Sequence, residues 1–150
     1  MARATFINNN GLEMILKYAE AHFKDVAEKS LYAGAAVYAD QIKENLIGIL
    51  SPNATGKLVE SFGITPIRQD REFNYNVNIG FDGYQEPGYG RFATTGVPFQ
   101  LIARSFESGA KPWRDPSPFA KPAIKAKKKE AQDTMARIAE EEFQKIIKRK

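Results

Sequence analysis

The chain has 150 residues, 43% of them hydrophobic and 27% charged, with a formal net charge of +4 and no cysteine. That length suits one compact domain around a single core, and the composition is too apolar for wholesale disorder. The absence of thiols excludes disulfide staples, thiolate zinc sites and cysteine nucleophiles, and it fits a reducing compartment.

No run of about 18 apolar residues occurs, so no transmembrane helix is expected. The opening MARATFINNNG holds no apolar stretch of signal-peptide length, so secretion is not expected either. Residues 1–10 read as a flexible N-terminus. The positive charge sits at the other end: residues 125–150 carry nine Lys/Arg against five acids, while the rest of the chain holds thirteen of each sign.

Asn10-Gly-Leu-Glu13 has the form of an N-cap with an acid three residues on. Apolar residues then recur at helical spacing through Leu12, Ile15, Leu16, Ala19, Phe23 and Val26, and on through Leu31, Ala35, Tyr38, Ile42, Leu46 and Ile49. Residues 11–50 are therefore helical. Asp25 offers a cap, which predicts a helix over about 12–24 and a second over about 27–48, with one bent helix as the alternative. The small residues Ala33-Gly34-Ala35-Ala36 predict a close approach of another backbone. Gly48 and Ser51-Pro52 end this region, because proline disfavours a helical residue before it.

From there the apolar period shortens towards two. Leu58–Ile67 predicts a strand, with Gly63 and Pro66 pointing to a bulge or an edge. Phe73, Tyr75, Val77, Ile79 and Phe81 alternate with Asn74, Asn76, Asn78 and Gly80, a strand with one buried and one wet face. The short polar Arg68–Glu72 stretch between them predicts an antiparallel hairpin. Residues 82–98, DGYQEPGYGRFATTGVP, have four glycines, two prolines and three aromatics without a period. Loops of that length in a compact domain are usually functional or disordered. Phe99–Glu107 predicts a third strand, and residues 109–120 an extended Pro-rich segment. Residues 121–150 return to helical spacing, with Ile124, Ala131, Met135, Ile138, Ala139, Phe143, Ile146 and Ile147 on one stripe. The order predicts an α+β fold: a small antiparallel sheet of three to four strands, packed by the long N-terminal helical region and a C-terminal helix.

The residues of chemistry are sparse. His22 is the only histidine and neighbours Phe23 on the first helix, so a surface or boundary place is the simplest reading. No nucleophile elbow accompanies it. Asp82 and Glu86 share the long loop, where two carboxylates are ordinarily solvated. Thr55-Gly56-Lys57 imitates a P-loop, but the first glycine of that motif would fall on Ser51 and its hydroxyl residue on Leu58. Asn53-Ala-Thr55 is a sequon that is idle without secretion. No enzyme, cofactor or metal site is expected. Lys125, Lys127, Lys128 and Lys129 could touch nucleic acid or simply be a solvated face. Tyr84, Tyr89, Phe92 and Phe99 could stack bases, although a loop packed on itself or on a neighbour explains them as well. Trp113, beside Arg114 in Lys111-Pro-Trp-Arg-Asp-Pro116, is either an anchor that folds the segment back or a contact for another chain.

Several stretches occur in a telling order: the helix with Leu31-Tyr-Ala-Gly-Ala35-Ala-Val37 and Ala39-Asp-Gln-Ile42; Thr55-Gly56-Lys57-Leu58 with Ser61; Val77-Asn-Ile79-Gly80-Phe81; Phe106-Glu107-Ser108-Gly109; and Pro118-Phe119-Ala-Lys-Pro122-Ala123 opening a Lys/Glu-rich helix. This succession, over roughly residues 12–145, resembles the tail-component family of long-tailed bacteriophages and prophages, the small neck or tail-completion proteins that join head to tail. Where that family commonly has Phe-Gly-Thr after the glutamate, this chain has Ser108-Gly109-Ala110. The resemblance implies a structural protein of the virion, assembled in the bacterial cytoplasm. It would act as a ring, with six copies the natural expectation, in contact with neighbouring neck and tail proteins and with no membrane. A tail-terminator role at the head-proximal end of the tail tube is the near alternative, and a nucleic-acid-binding accessory protein the distant one. Under the ring reading the 82–98 loop and the 109–118 segment supply subunit contacts, with Tyr84, Tyr89, Phe92, Trp113 and Arg114 as interface candidates.

Overall fold

The structure is a computed structural model that describes residues 10–148 apart from 53, 55, 73 and 89; the side chains of residues 10–16, 18 and 19 also lie outside the description. The capping residues Asn10 and Glu13, the apolar positions Leu12, Ile15, Leu16 and Ala19, and the strand residue Phe73 therefore contribute no side-chain observation.

One continuous helix, α1 (Asn10–Ile49, 40 residues), replaces the expected pair. Asp25 lies inside it rather than at a start. Nothing there breaks the backbone hydrogen-bond ladder, since no proline occurs; the buried stripe opens at Val26, directly after Asp25, and continues through Ser30, Ala35, Ile42 and Leu46. Its partner is α4 (Ala120–Lys148), which runs antiparallel to it. Three points fix the pairing: the Asn45 side-chain amide donates to the Phe119 carbonyl at 3.1 Å, Gly34 faces Met135, and Lys29 pairs with Glu142 at 3.0 Å. A Cβ on Gly34 would stand 2.7 Å from Met135 Sδ. The predicted close approach is therefore real, but what enters the gap is the Met135 side chain.

Between the two long helices the chain builds α2 (Lys57–Glu60), β1 (Phe62–Ile64), β2 (Arg68–Gln69), β3 (Tyr75–Asn76), β4 (Ile79–Phe81), β5 (Tyr84–Gln85), a 3-10 turn (Gly90–Phe92), β6 (Val97–Pro98) and α3 (Phe99–Ser108). The architecture is α+β, and its strands pair two by two: β1 with β4, β2 with β3 and β5 with β6, all antiparallel.

The first two pairs are arms of one hairpin. Phe62 faces Phe81 and Ile64 faces Ile79, yet Arg68 faces Asn76, so Thr65-Pro66-Ile67 stands opposite only Val77-Asn78. That extra residue is the bulge expected at Pro66, which has no N–H to give the ladder. Thr65 bridges it: its N–H donates to the Asn78 carbonyl at 2.8 Å, and its hydroxyl accepts the Asn78 N–H at 2.9 Å. At the tip, the Asp70 carboxylate accepts the N–H groups of Glu72 and Asn74, which holds its pKa below the ordinary value, the Asn74 amide being the largest cause. The hairpin lies along α1, tied by the Tyr32 hydroxyl accepting the Ile67 N–H at 2.8 Å and by Phe23 against Tyr75.

In place of one sheet of three to four strands there are three two-stranded pairs, and two segments expected as strand are helical. Lys57–Glu60 is a helical turn, so the strand begins at Phe62 and not at Leu58. Gly56, at φ 77°, swings the chain inward so that Leu58 is buried, and the Ser61 hydroxyl donates back to the Leu58 carbonyl at 2.7 Å. Phe99–Ser108 is an α-helix. Phe99, Ile102, Ala103 and Phe106 face the core at helical spacing, whereas a strand would have placed Glu107 on the same face as Phe99. The core gathers at one end of the helix pair, from Ile42 and Leu46 of α1, Leu58, Phe99 and Ala103 of α3, and Phe119 and Ala123 at the start of α4.

Candidate assembly surface

The motif residues named above meet in space. Leu58, Phe81 and Phe119 belong to the core or pack on it, with Phe62 and Phe81 rings 5.2 Å apart and Phe81 edge-on to Phe119 at 6.1 Å. Glu107 explains why two of the motifs travel together. Its carboxylate accepts three backbone N–H groups, Phe119 and Ala120 on Oε2 (both 2.9 Å) and Lys121 on Oε1 (3.0 Å). Those amides have no partner within the first turn of α4, so a side chain from α3 caps it. Burial works to raise the Glu107 pKa, but the Ala120, Phe119 and Lys121 amides and the Lys121 charge outweigh it, and the group is held below its ordinary value. Gly109 then turns the chain at φ 79°, ψ 167°, a region open essentially to glycine alone, with Pro116 packed 2.9 Å from where a Cβ would stand. These residues build the fold. Thr55 of the same set lies outside the described residues.

Trp113 is different: its side chain is 88% exposed. The turn that carries it is tightly held. Ala110 donates to the Arg114 carbonyl and Arg114 to the Ala110 carbonyl, both at 2.9 Å, and the Trp113 N–H closes the turn on the Ala110 carbonyl at 2.7 Å. The Arg114 guanidinium lies 3.8 Å over the Phe106 ring and donates to the Ser105 hydroxyl at 3.1 Å, while Ser117 N–H bonds the Phe106 carbonyl. The anchor that folds the segment back onto the domain is thus Arg114, and Trp113 is left to solvent. No sequence signal distinguished the two, because either could have stacked on the ring.

The 82–98 stretch is more ordered than its composition suggests, since β5 and β6 zip its ends together. Gly88 packs against the Phe92 carbonyl, Arg91 sits 4.7 Å over the Phe92 ring, and Gly96, at φ 79°, abuts the Gln85 carbonyl. Phe92 is thereby half-buried in its own loop, whereas Tyr84 projects, 59% exposed. Tyr89 lies outside the described residues. Phe99, also considered for base stacking, is buried in the core and excluded from that role.

On the other flank of α3 an apolar hollow of about 500 Å³ is lined by Tyr38, Ile42, Phe62, Phe81, Phe119 and Ile124, with Arg104, Glu107 and Ser108 among its polar neighbours. At about 100° per residue, the positions of Arg104, Glu107 and Ser108 point away from the side of Ser105 and Phe106 that carries the Trp113 turn. An exposed indole and an apolar hollow therefore occupy different faces of the same small helix.

The four lysines do not behave alike. Lys127 is half-buried and bonds Glu130 at 2.9 Å, whereas Lys125, Lys128 and Lys129 are exposed and belong to none of the ion pairs among the described residues. Lys121, which sequence reasoning passed over, is exposed in the same way. Asp82 and Glu86 are exposed, and Asp82 accepts the Gly83 N–H. Among the described residues, no grouping of His and carboxylates suited to a metal occurs and no helix is long and apolar enough to cross a membrane. No family model, no curated protein and no solved structure matches this chain.

Proposed function

We propose that this chain is a structural virion protein of the neck or tail-completion type, which joins head to tail as a ring of its own copies and carries out no catalysis. The observation that bears this reading is the presentation of Trp113. A large aromatic at 88% exposure on a turn fixed by three backbone hydrogen bonds and an Arg–Phe stack is arranged for contact, not for folding. Tryptophan and arginine are the residues that dominate contact energies, and a rigid turn loses little entropy on docking. The apolar hollow on the opposite flank of α3 supplies a second, different face, as a closed head-to-tail ring requires. The order of motifs that resembles the tail-component family supports the same role, and six copies are expected in the ring.

The test is the oligomeric state of the purified chain by native mass spectrometry and negative-stain imaging. Rings are expected, with Trp113→Ala abolishing them while circular dichroism and melting temperature stay unchanged. A chain that remains monomeric up to near-millimolar concentration, or rings that persist in Trp113→Ala, would sink the proposal.

A further inference from the structure

The two halves of α4 treat charge in opposite ways. Its second half is neutralised locally: Arg137 pairs with Glu141, and Lys145 and Lys29 both pair with Glu142. Its first half carries Lys121, Lys125, Lys127, Lys128 and Lys129 against Glu130 and Asp133; Glu130 is taken by Lys127, and Asp133, beside Lys129 at the far end of the row, belongs to none of the ion pairs among the described residues. No acid lies in the first turn of the helix. Lys121, Lys125 and Lys128 recur at four- and three-residue steps, so they form a row along one side of the helix, with Lys129 flanking it. Lys121 also sits in the first turn, at the positive end of the helix macrodipole that the Glu107 carboxylate caps, and the lysines of the row repel one another. A face selected only for solubility or helix stability would interleave glutamates there, as the second half does.

We propose that the row Lys121–Lys125–Lys128–Lys129 binds the phosphate backbone of duplex nucleic acid without sequence preference. A linear polyanion is the partner that a one-sided, unpaired row of cations fits, because each lysine displaces a condensed counterion. Lysines alone carry no fork for reading base edges, so the row positions and does not discriminate. The inference does not depend on ring formation, since the row is complete within one chain.

The test is fluorescence anisotropy of the whole protein with labelled mixed-sequence DNA duplexes over a range of salt. Wild type should bind two unrelated sequences equally, with affinity falling with salt at a log–log slope of about 3–4, the release expected for four lysines. Replacing all four by Gln should reduce affinity at low salt by at least about tenfold and flatten the slope by a similar count. Glutamine is as good a helix former as lysine, so the variant should melt no lower than wild type. Lys125→Gln alone should cut the slope by about 1, and Lys127→Gln, whose lysine is already paired, should leave it unchanged. The proposal is overturned if wild type shows no salt-dependent binding, if the fourfold variant binds as wild type does, or if Lys127→Gln weakens binding as much as Lys125→Gln.

Discussion

The two ends of the α1–α4 helix pair are built on different principles. At one end, Leu46 of α1 and Ala123 of α4 are wholly buried, and α2, α3 and the β1–β4 pair close over them with aromatic rings. At the other end, beyond the Gly34–Met135 contact, Val26 of α1 and Ile146 of α4 are buried in a smaller apolar patch, and the contact is finished by Lys29 and Glu142, with Lys29 59% and Glu142 15% exposed. Water-free apolar packing is worth kilocalories per side chain, whereas exposed ion pairs contribute little. The first end should therefore carry most of the stability, and the second should open first.

The largest break in that contrast comes from Leu46→Ala. Its site has no exposure, and such truncations cost about 2–5 kcal/mol. For a chain of this length each kcal/mol lowers the melting temperature by about 2–4 °C, which calorimetry would read directly. Gly34→Val should follow, at about 1–3 kcal/mol, because its Cβ would overlap Met135. Pairing it with Met135→Ala should recover much of the loss, and a double-mutant cycle showing no coupling would place the helices farther apart than described here.

Glu107→Ala should cost about 1–2 kcal/mol, the range of lost helix caps, although it removes no apolar contact. It also sharpens the comparison through pH. The folded pKa of Glu107 is below its unfolded value, so the unfolded chain binds more protons in the window between them. The contribution is complete above the ordinary glutamate pKa and is lost as pH falls through the lowered folded value. Acid denaturation of Glu107→Gln should accordingly begin from a lower plateau and show a shallower limb than wild type. The smallest effect belongs to the open end. Glu142, whose pKa is lowered by Lys29 first and then Lys145, is replaceable by Gln with a change near the limit of detection that high salt erases. Hydrogen exchange should show the amides around Lys29 opening well before those around Leu46.

Much of this was legible in the residues. The helical stripes of α1 and α4, apart from the exposed Phe23, Ile124 and Ile147, the hairpin with its bulge at Pro66, the stop at Ser51-Pro52 and the small-residue patch at Gly34 all follow from side-chain period and backbone chemistry, which are local. The assignment of Phe99–Glu107 to a strand failed because a short apolar run fits either period, and burial against Leu46 and Phe119 decided for the helix. Asp25 failed as a cap because capping propensity is weak and no proline near it interrupts the ladder of α1.

The candidate surface divided along the same line. Sequence alone singled out Trp113, Arg114 and the lysines, since their chemistry is written in the residue type. Which of them faces water was decided only when distant segments met: Phe106 of α3 took Arg114 and freed Trp113, Glu130 took Lys127 and left its neighbours unpaired, and Glu107 reached across to cap α4. Composition and period thus determined the elements and their order, because those depend on neighbours in the chain. The partners of each charged and aromatic group depend on residues brought together from elsewhere in the chain, and only the tertiary structure supplies them.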